Sequence, residues 1–113
     1  MKTDQTNYDA CMDACAKAIV ACRTCANADL HEDHHLSTLV RCIKLDLDCS
    51  AICSLALQSM ASNSEFAKQV CALCATICNS CAEECSKHEK MEHCVACAKA
   101  CSACAVECER ICM

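Results

Sequence analysis

The chain has 113 residues, a formal net charge of -5, eighteen Cys, and neither Gly nor Pro. Without Gly or Pro to supply tight turns, the composition argues against a β-sandwich, a barrel or a hairpin-rich disulfide scaffold. The length fits one domain spanning 1–113, and the scattered Lys and Arg form no basic patch for nucleic acid.

The apolar fraction of 55% is mostly Ala and Cys, and Leu, Ile, Val and Phe together number only 19. A core must therefore be lined by Ala and Cys, and Ala favours helix. The Cys intervals agree. Nearly all are three, four or seven, no two Cys are adjacent, and none are separated by a single residue. Those intervals are the repeat of one helical face, so four helices are predicted, at roughly 7–28, 33–60, 64–87 and 91–112.

The first helix carries Cys11, Cys15, Cys22 and Cys25, with Ala18 where a further Cys would complete the stripe. Before it, Met1 to Tyr8 is polar and contains no apolar leader segment. Thr6 with Asp9 is a weak capping box. Read as a complete chain, this is a cytoplasmic protein with no membrane segment. In that compartment thiols stay reduced, so metal ligation is expected rather than disulfides. The polar run Asn27 to His35 ends this helix.

The second helix carries Cys42, Cys49 and Cys53, with Asp46 between the first two on the same stripe. Asp46 is expected in the interior, as an accessory metal ligand or an acceptor for thiols. Leu36, Val40, Ile43, Leu47 and Leu57 lie about 100–140° from the Cys face at about 100° per residue. A monomer would expose them, so a subunit interface is expected there.

The third and fourth helices repeat one another. Cys71 to Cys85 reads CALCATICNSCAEEC, with Cys74, Cys78 and Cys81 inside it. Cys94 to Cys108 reads CVACAKACSACAVEC, with Cys97, Cys101 and Cys104 inside it, and Cys112 follows. Ser62 with Glu65 looks like a capping box for the third helix. The nine residues from Cys85 to Cys94 would turn an unbroken helix through about 900°. That would place the last two stripes on opposite faces, and a break near Lys87–Lys90 restores them to one core. Glu83, Glu84, Lys87 and Lys90 read as a solvated face. Short connections make the neighbours antiparallel, so the fold expected is all-α, an up-down-up-down four-helix bundle with a Cys-lined core.

Which metal follows from charge and softness. Thiolates select Cu(I), Zn(II) or Fe–S clusters. Zinc wants discrete tetrahedral quartets, whereas these Cys run as continuous columns. The absence of Pro and of a Cys-x-x-Cys-His removes ferredoxin-type clusters and c-type haem. Eighteen buried thiolates would be prohibitively charged, and about one Cu(I) per Cys restores neutrality. Cu(I) storage is therefore the expected function. A zinc or other soft-metal buffer and a thiol redox enzyme are the alternatives; the enzyme would need one activated, exposed Cys.

With Leu45-Asp46-Leu47-Asp48-Cys49 and Cys53 in the second helix and the repeated CxxCAxxCxxCAxEC in the third and fourth, the whole chain resembles the bacterial copper storage proteins. These are Cys-rich four-helix bundles filled with Cu(I). The resemblance implies a cytosolic, homotetrameric member with no enzymatic activity, whose Cys listed above are the copper ligands. A copper chaperone or a low-molecular-weight thiol would be the exchange partner.

All five His (His31, His34, His35, His88 and His93) fall at the end holding the first and third connections. His35, His88 and Met91 extend the Cys stripes there and are candidate accessory ligands and stepping stones for an entering ion. Tyr8, Met60 and Phe66 lie near the other end.

Overall fold

The computed structural model describes residues 7–33 and 36–113. Four helices follow in order: α1 (Asp9–Leu30), α2 (Leu36–Ala61), α3 (Ala67–Ser86) and α4 (Glu92–Cys112). α1 packs on α2, α2 on α3, α3 on α4, and α4 back on α1, which closes a ring around one central column. This is the antiparallel bundle that the Cys period implies. No strand occurs among the described residues.

The core is built from the stripe residues. Every Cys except Cys112 is buried, and Ala18, Ala56, Ala67 and Ala105 fill positions where the stripe lacks a thiol. Small side chains on every helix allow the four to approach closely. Leu39 and Met60 are among the few larger apolar side chains enclosed with them, toward opposite ends of α2. Leu36, Val40 and Leu47 are exposed, as the face angles require, while Ile43 and Leu57 pack against the edge of the core.

The ends of the helices differ in detail from expectation. Ser62 does not open α3. Its Oγ–H is donated back to the Gln58 carbonyl at 3.0 Å, because Ser62 still lies against the last turn of α2. The chain instead turns through Asn63, which has φ 52°. Ser64 N–H reaches the Ser59 carbonyl at 2.8 Å, and Asn63 N–H reaches the Met60 carbonyl at 3.1 Å. That pair of bonds is a Schellman motif, with Asn in the position that Gly usually takes. Ser64 Oγ then accepts the Phe66 N–H at 3.0 Å, and α3 starts at Ala67. Thr6 lies outside the described residues; the start of α1 is held by Asn7, whose Oδ1 accepts the Asp9 N–H at 3.0 Å. Phe66 is exposed and does not close the bundle end.

Two measurements check this picture. The helical stripes are complete without metal, so the reduced apo protein should give a helical far-UV circular dichroism spectrum, with little added by Cu(I). In the only left-handed residue among those described, Asn63→Ala should lose about 1 kcal/mol in urea unfolding, and Asn63→Gly should hold stability to within a few tenths.

Candidate metal centre

The thiols meet in layers along the column. Cys15, Cys53, Cys74 and Cys104, one from each helix, place their four Sγ atoms within 4.8 Å of one another. Cys22, Cys49, Cys81 and Cys101 do the same. Between layers the contacts continue through Cys78, whose Sγ lies 3.6 Å from Cys53 Sγ and 3.5 Å from Cys49 Sγ. Toward the chain termini, Cys11 and Cys108 approach to 3.6 Å. Spacing along one helix suggested columns without quartets. The bundle corrects this, because each quartet is drawn from four helices and no single segment contains it.

Asp46 sits inside this column with no exposure. Its Oδ1 accepts the thiols of Cys81 at 3.2 Å, Cys97 at 3.3 Å and Cys85 at 3.7 Å, and its Oδ2 accepts Cys42 at 3.9 Å. The interior place expected for Asp46 is therefore found. On its far side Cys42 pairs with Cys85 at 3.5 Å and with Cys25 at 4.0 Å, and Cys25 pairs with Cys94 at 3.8 Å. Asp46 thus joins this smaller group of thiols to the longer run below it.

Sequence spacing missed a second buried carboxylate. Asp29 lies four residues after Cys25, on the α1 stripe, and is fully enclosed. It accepts the Cys25 thiol at 3.8 Å and the Cys94 thiol at 3.6 Å, and its Oδ1 lies 2.7 Å from His93 Nε2. Cys25, Asp29, Cys42 and Cys94 form another group with ligand atoms within 4.8 Å. The signal was present in the interval of four, but Asp29 falls inside a polar run that reads as a loop.

Burial governs the charges here. It pushes the Asp46 carboxyl up to about 9, with the neighbouring Cys97 and Cys42 adding to it. It pushes Asp29 up to about 6. Hydrogen bonding within the cluster, and then burial, raise the thiols of Cys22, Cys53 and Cys85. The same bonding lowers the thiols of Cys42, Cys49 and Cys97, so neighbouring sulfurs divide into donors and acceptors, and the two carboxyls accept from the thiols beside them.

The accessory candidates divide. His88 is largely buried at the His-rich end, with Nε2 3.1 Å from Glu84 Oε2. Met91 packs against the core. The two line an open hollow of about 350 Å³ with Thr38 and Lys87. His34 and His35 lie outside the described residues, and His31 is exposed, its Nδ1 2.8 Å from the Asn27 carbonyl. Cys112 departs from the stripe: Ile111 takes the core position, and the half-buried Cys112 donates to the Glu109 carbonyl at 3.6 Å. Glu84 is not on a solvated face; it is buried and meets Arg41, Lys87 and His88. The repeat on α3 hid this, since Glu83 is exposed and Glu84 beside it turns inward.

A sealed helical bundle whose core is a stack of thiols, with no disulfide formed among them, defines a protein that takes up soft metal ions in number. Comparison with known proteins gives the family. The copper storage protein family model matches residues 4–113, and the chain belongs to that family. The curated Bacillus subtilis (strain 168) "Uncharacterized cysteine-rich protein YhjQ" is 48% identical over 83 residues, which is 72% of this chain and 74% of that protein. The structure of Cu(I)-bound copper storage protein BsCsp3 superposes with a TM-score of 0.89 at 43% identity, covering 94% of this chain and 98% of that one. A cytosolic copper storage protein from Streptomyces lividans, with five coppers, gives a TM-score of 0.89 at 31% identity, covering 99% of this chain and 97% of that one. The function is copper storage, with multiple Cu(I) ions bound by Cys thiolates in the bundle core.

The raised carboxyls make a stability prediction. Unfolded, Asp29 and Asp46 ionise near 3.8; folded, they hold their protons to about 6 and about 9. Their contribution is therefore fullest below pH 4 and is lost as pH rises through the folded values. The urea midpoint of the reduced apo protein should fall between pH 5 and pH 8, and Asp46→Asn should remove most of the decline above pH 6. Parallel declines in the two proteins would show that Asp46 is ionised in the empty core.

Proposed function

We propose that the buried thiols from Cys11 to Cys108 are the Cu(I) ligands, holding about one ion per thiol at saturation, with Cys112 the weakest member of the set. The observation that supports this most directly is the continuity of the Sγ contacts. Neighbouring thiols stand 3.5–4.0 Å apart from Cys11–Cys108 through to Cys49–Cys101 and Cys22. A thiolate with neighbours on several helices can bridge two ions. Sharing matters for charge: a Zn(II) on four thiolates leaves two negative charges buried, whereas Cu(I) and thiolate in equal number leave none. Quartets alone would also suit zinc, and it is this balance that favours copper throughout the column.

The reading extends to the setting of the protein. No helix among the described residues is long and apolar enough to cross a membrane. We place the chain in the cytoplasm, acting as one storage domain and not as an enzyme, with a copper chaperone or a low-molecular-weight thiol as its exchange partner and with no nucleic-acid partner. A thiol enzyme needs an accessible, activated Cys, and the thiols here are enclosed. The exposed Leu36, Val40 and Leu47 on α2 support self-association, and we assign the homotetramer that the family resemblance implies.

Copper is proposed to enter at the His-rich end. There a hollow carries His88 and Met91, and Met91 also touches the core. The hollow at the other end, about 480 Å³, is lined by Asn7, Tyr8, Met12 and Met60 and offers no imidazole. Thioethers line both hollows, so the imidazole, a softer stepping stone for Cu(I) than a carboxylate, is what favours the His-rich end. Asp46, which accepts thiols, is proposed also as an accessory ligand, and His35, His88 and Met91 as accessory ligands at the entrance.

Anaerobic titration of the reduced protein against calibrated Cu(I) and Zn(II) chelators tests the capacity. Saturation near one Cu(I) per Cys is expected; saturation at four or five ions with a preference for zinc would overturn the reading. Replacing His35, His88 and Met91 together by Leu should slow loading and chelator-driven removal while leaving final capacity almost unchanged. Native loading rates in that variant would place the entrance elsewhere.

A further inference from the structure

We propose that Glu84 is a positioning residue for copper entry: by accepting the Nε2–H of His88, it holds that imidazole in the tautomer whose lone pair lies on Nδ1, available to an arriving Cu(I). This rests on the reading that ions pass the His-rich end.

Glu84 is 5% exposed, yet its ion-pair partners Arg41 and Lys87 lie mostly in water. Burying a carboxylate to meet two solvated cations is a poor way to stabilise a fold. The division of labour between its oxygens suggests another purpose. Oε1 takes Arg41 Nη1 of α2 at 2.9 Å and Lys87 Nζ at 3.4 Å. Oε2 is left for His88 Nε2 at 3.1 Å. The cations anchor one oxygen, and the other faces the ring. With a guanidinium and an ammonium both on Oε1, Glu84 is held as a carboxylate.

An ionised carboxylate can only accept, so Nε2 must carry the proton. When the ring is neutral its lone pair is then on Nδ1. Carboxylates orient metal-binding imidazoles in this way in many sites. His88 follows Cys85 by three residues, its backbone N–H bonded to the Cys85 carbonyl at 3.0 Å, so the ring stands one turn above the last thiol of α3. Across the same end, Asp29 Oδ1 lies 2.7 Å from His93 Nε2, which repeats the arrangement between α1 and α4. Exposed His31, by contrast, bonds a carbonyl through Nδ1. Glu84 is the cleaner of the two carboxylates to test, because Asp29 also meets thiols.

The test pairs a structural readout with a kinetic one. Long-range proton–nitrogen NMR of the ¹⁵N-labelled, reduced apo protein reports which ring nitrogen of His88 is protonated. The Nε2–H form is expected in the wild type and in Glu84→Gln, whose amide oxygen still accepts, and a mixture is expected in Glu84→Ala. Stopped-flow loading from Cu(I) held on a chelator should be slower by about tenfold in Glu84→Ala and in His88→Leu, and near native in Glu84→Gln. The Glu84→Ala/His88→Leu double variant should be no slower than His88→Leu alone. If His88→Leu is slow while folded Glu84→Ala loads at the native rate, the entrance stands and Glu84 is only an interhelix tie. If His88→Leu itself loads normally, the reading of the entrance fails, and this proposal with it. Should Glu84→Ala not fold, a proton found on Nδ1 of His88 in the wild type overturns the proposal by itself.

Discussion

A thiol removed from water gains little from another thiol, because sulfur is both a weak donor and a weak acceptor, and it loses a great deal if it ionises there alone. A column of such groups is neutral and nearly apolar while it is protonated. It becomes a strong polyanion only when cations arrive to replace the protons. Both states have to fit one set of helices. The ring of α1 to α4 does this by putting the contents on a single axis, so that each proton lost can be matched by an ion within one or two bonds' reach.

The carboxylates make sense against that background. Asp46 and Asp29 are better acceptors than sulfur, and they are the groups toward which thiols of the upper column turn: Cys81, Cys97, Cys85 and Cys42 to the first, Cys25 and Cys94 to the second. They order donors that would otherwise have only each other. The cost is a pair of acids forced to stay protonated far above their ordinary range, a cost that a helix stripe of Leu would not carry. Glu84 differs in that its three basic partners keep it ionised just outside the column.

Most of this architecture could be read from the intervals between Cys, because a period of three and four leaves no choice of face once Ala and Cys are the residues being buried. Asp46 was legible for the same reason: it stands where a Cys would. The misses have physical causes. The quartets are made by four helices meeting, and no property of one segment encodes them. Asp29 and Glu84 are acidic residues in polar surroundings, so their burial depends on which side of a helix end or of a Glu pair turns inward. Ser62 looked like an opening cap but closes the helix before it, since a hydroxyl three or four residues beyond a free carbonyl bonds backward when the helix is still within reach. Asn63 supplies the left-handed turn that the lack of Gly leaves to be filled.

The spacing of the free thiols also sets their chemistry toward oxidants. Neighbours such as Cys22 and Cys101 or Cys42 and Cys85 rest 3.5 Å apart, and a disulfide needs about 2.05 Å with a dihedral near 90°. Closing that gap means moving one side chain toward another within a packed interior, while peroxide, which must first make a sulfenic acid, needs access to a thiolate. Seventeen of the eighteen thiols are buried, and Cys112 is the one that oxidants can reach. Enclosure in the packed column therefore shields the buried thiols from oxidants in solution, and Cys112, outside it, is the thiol most open to them.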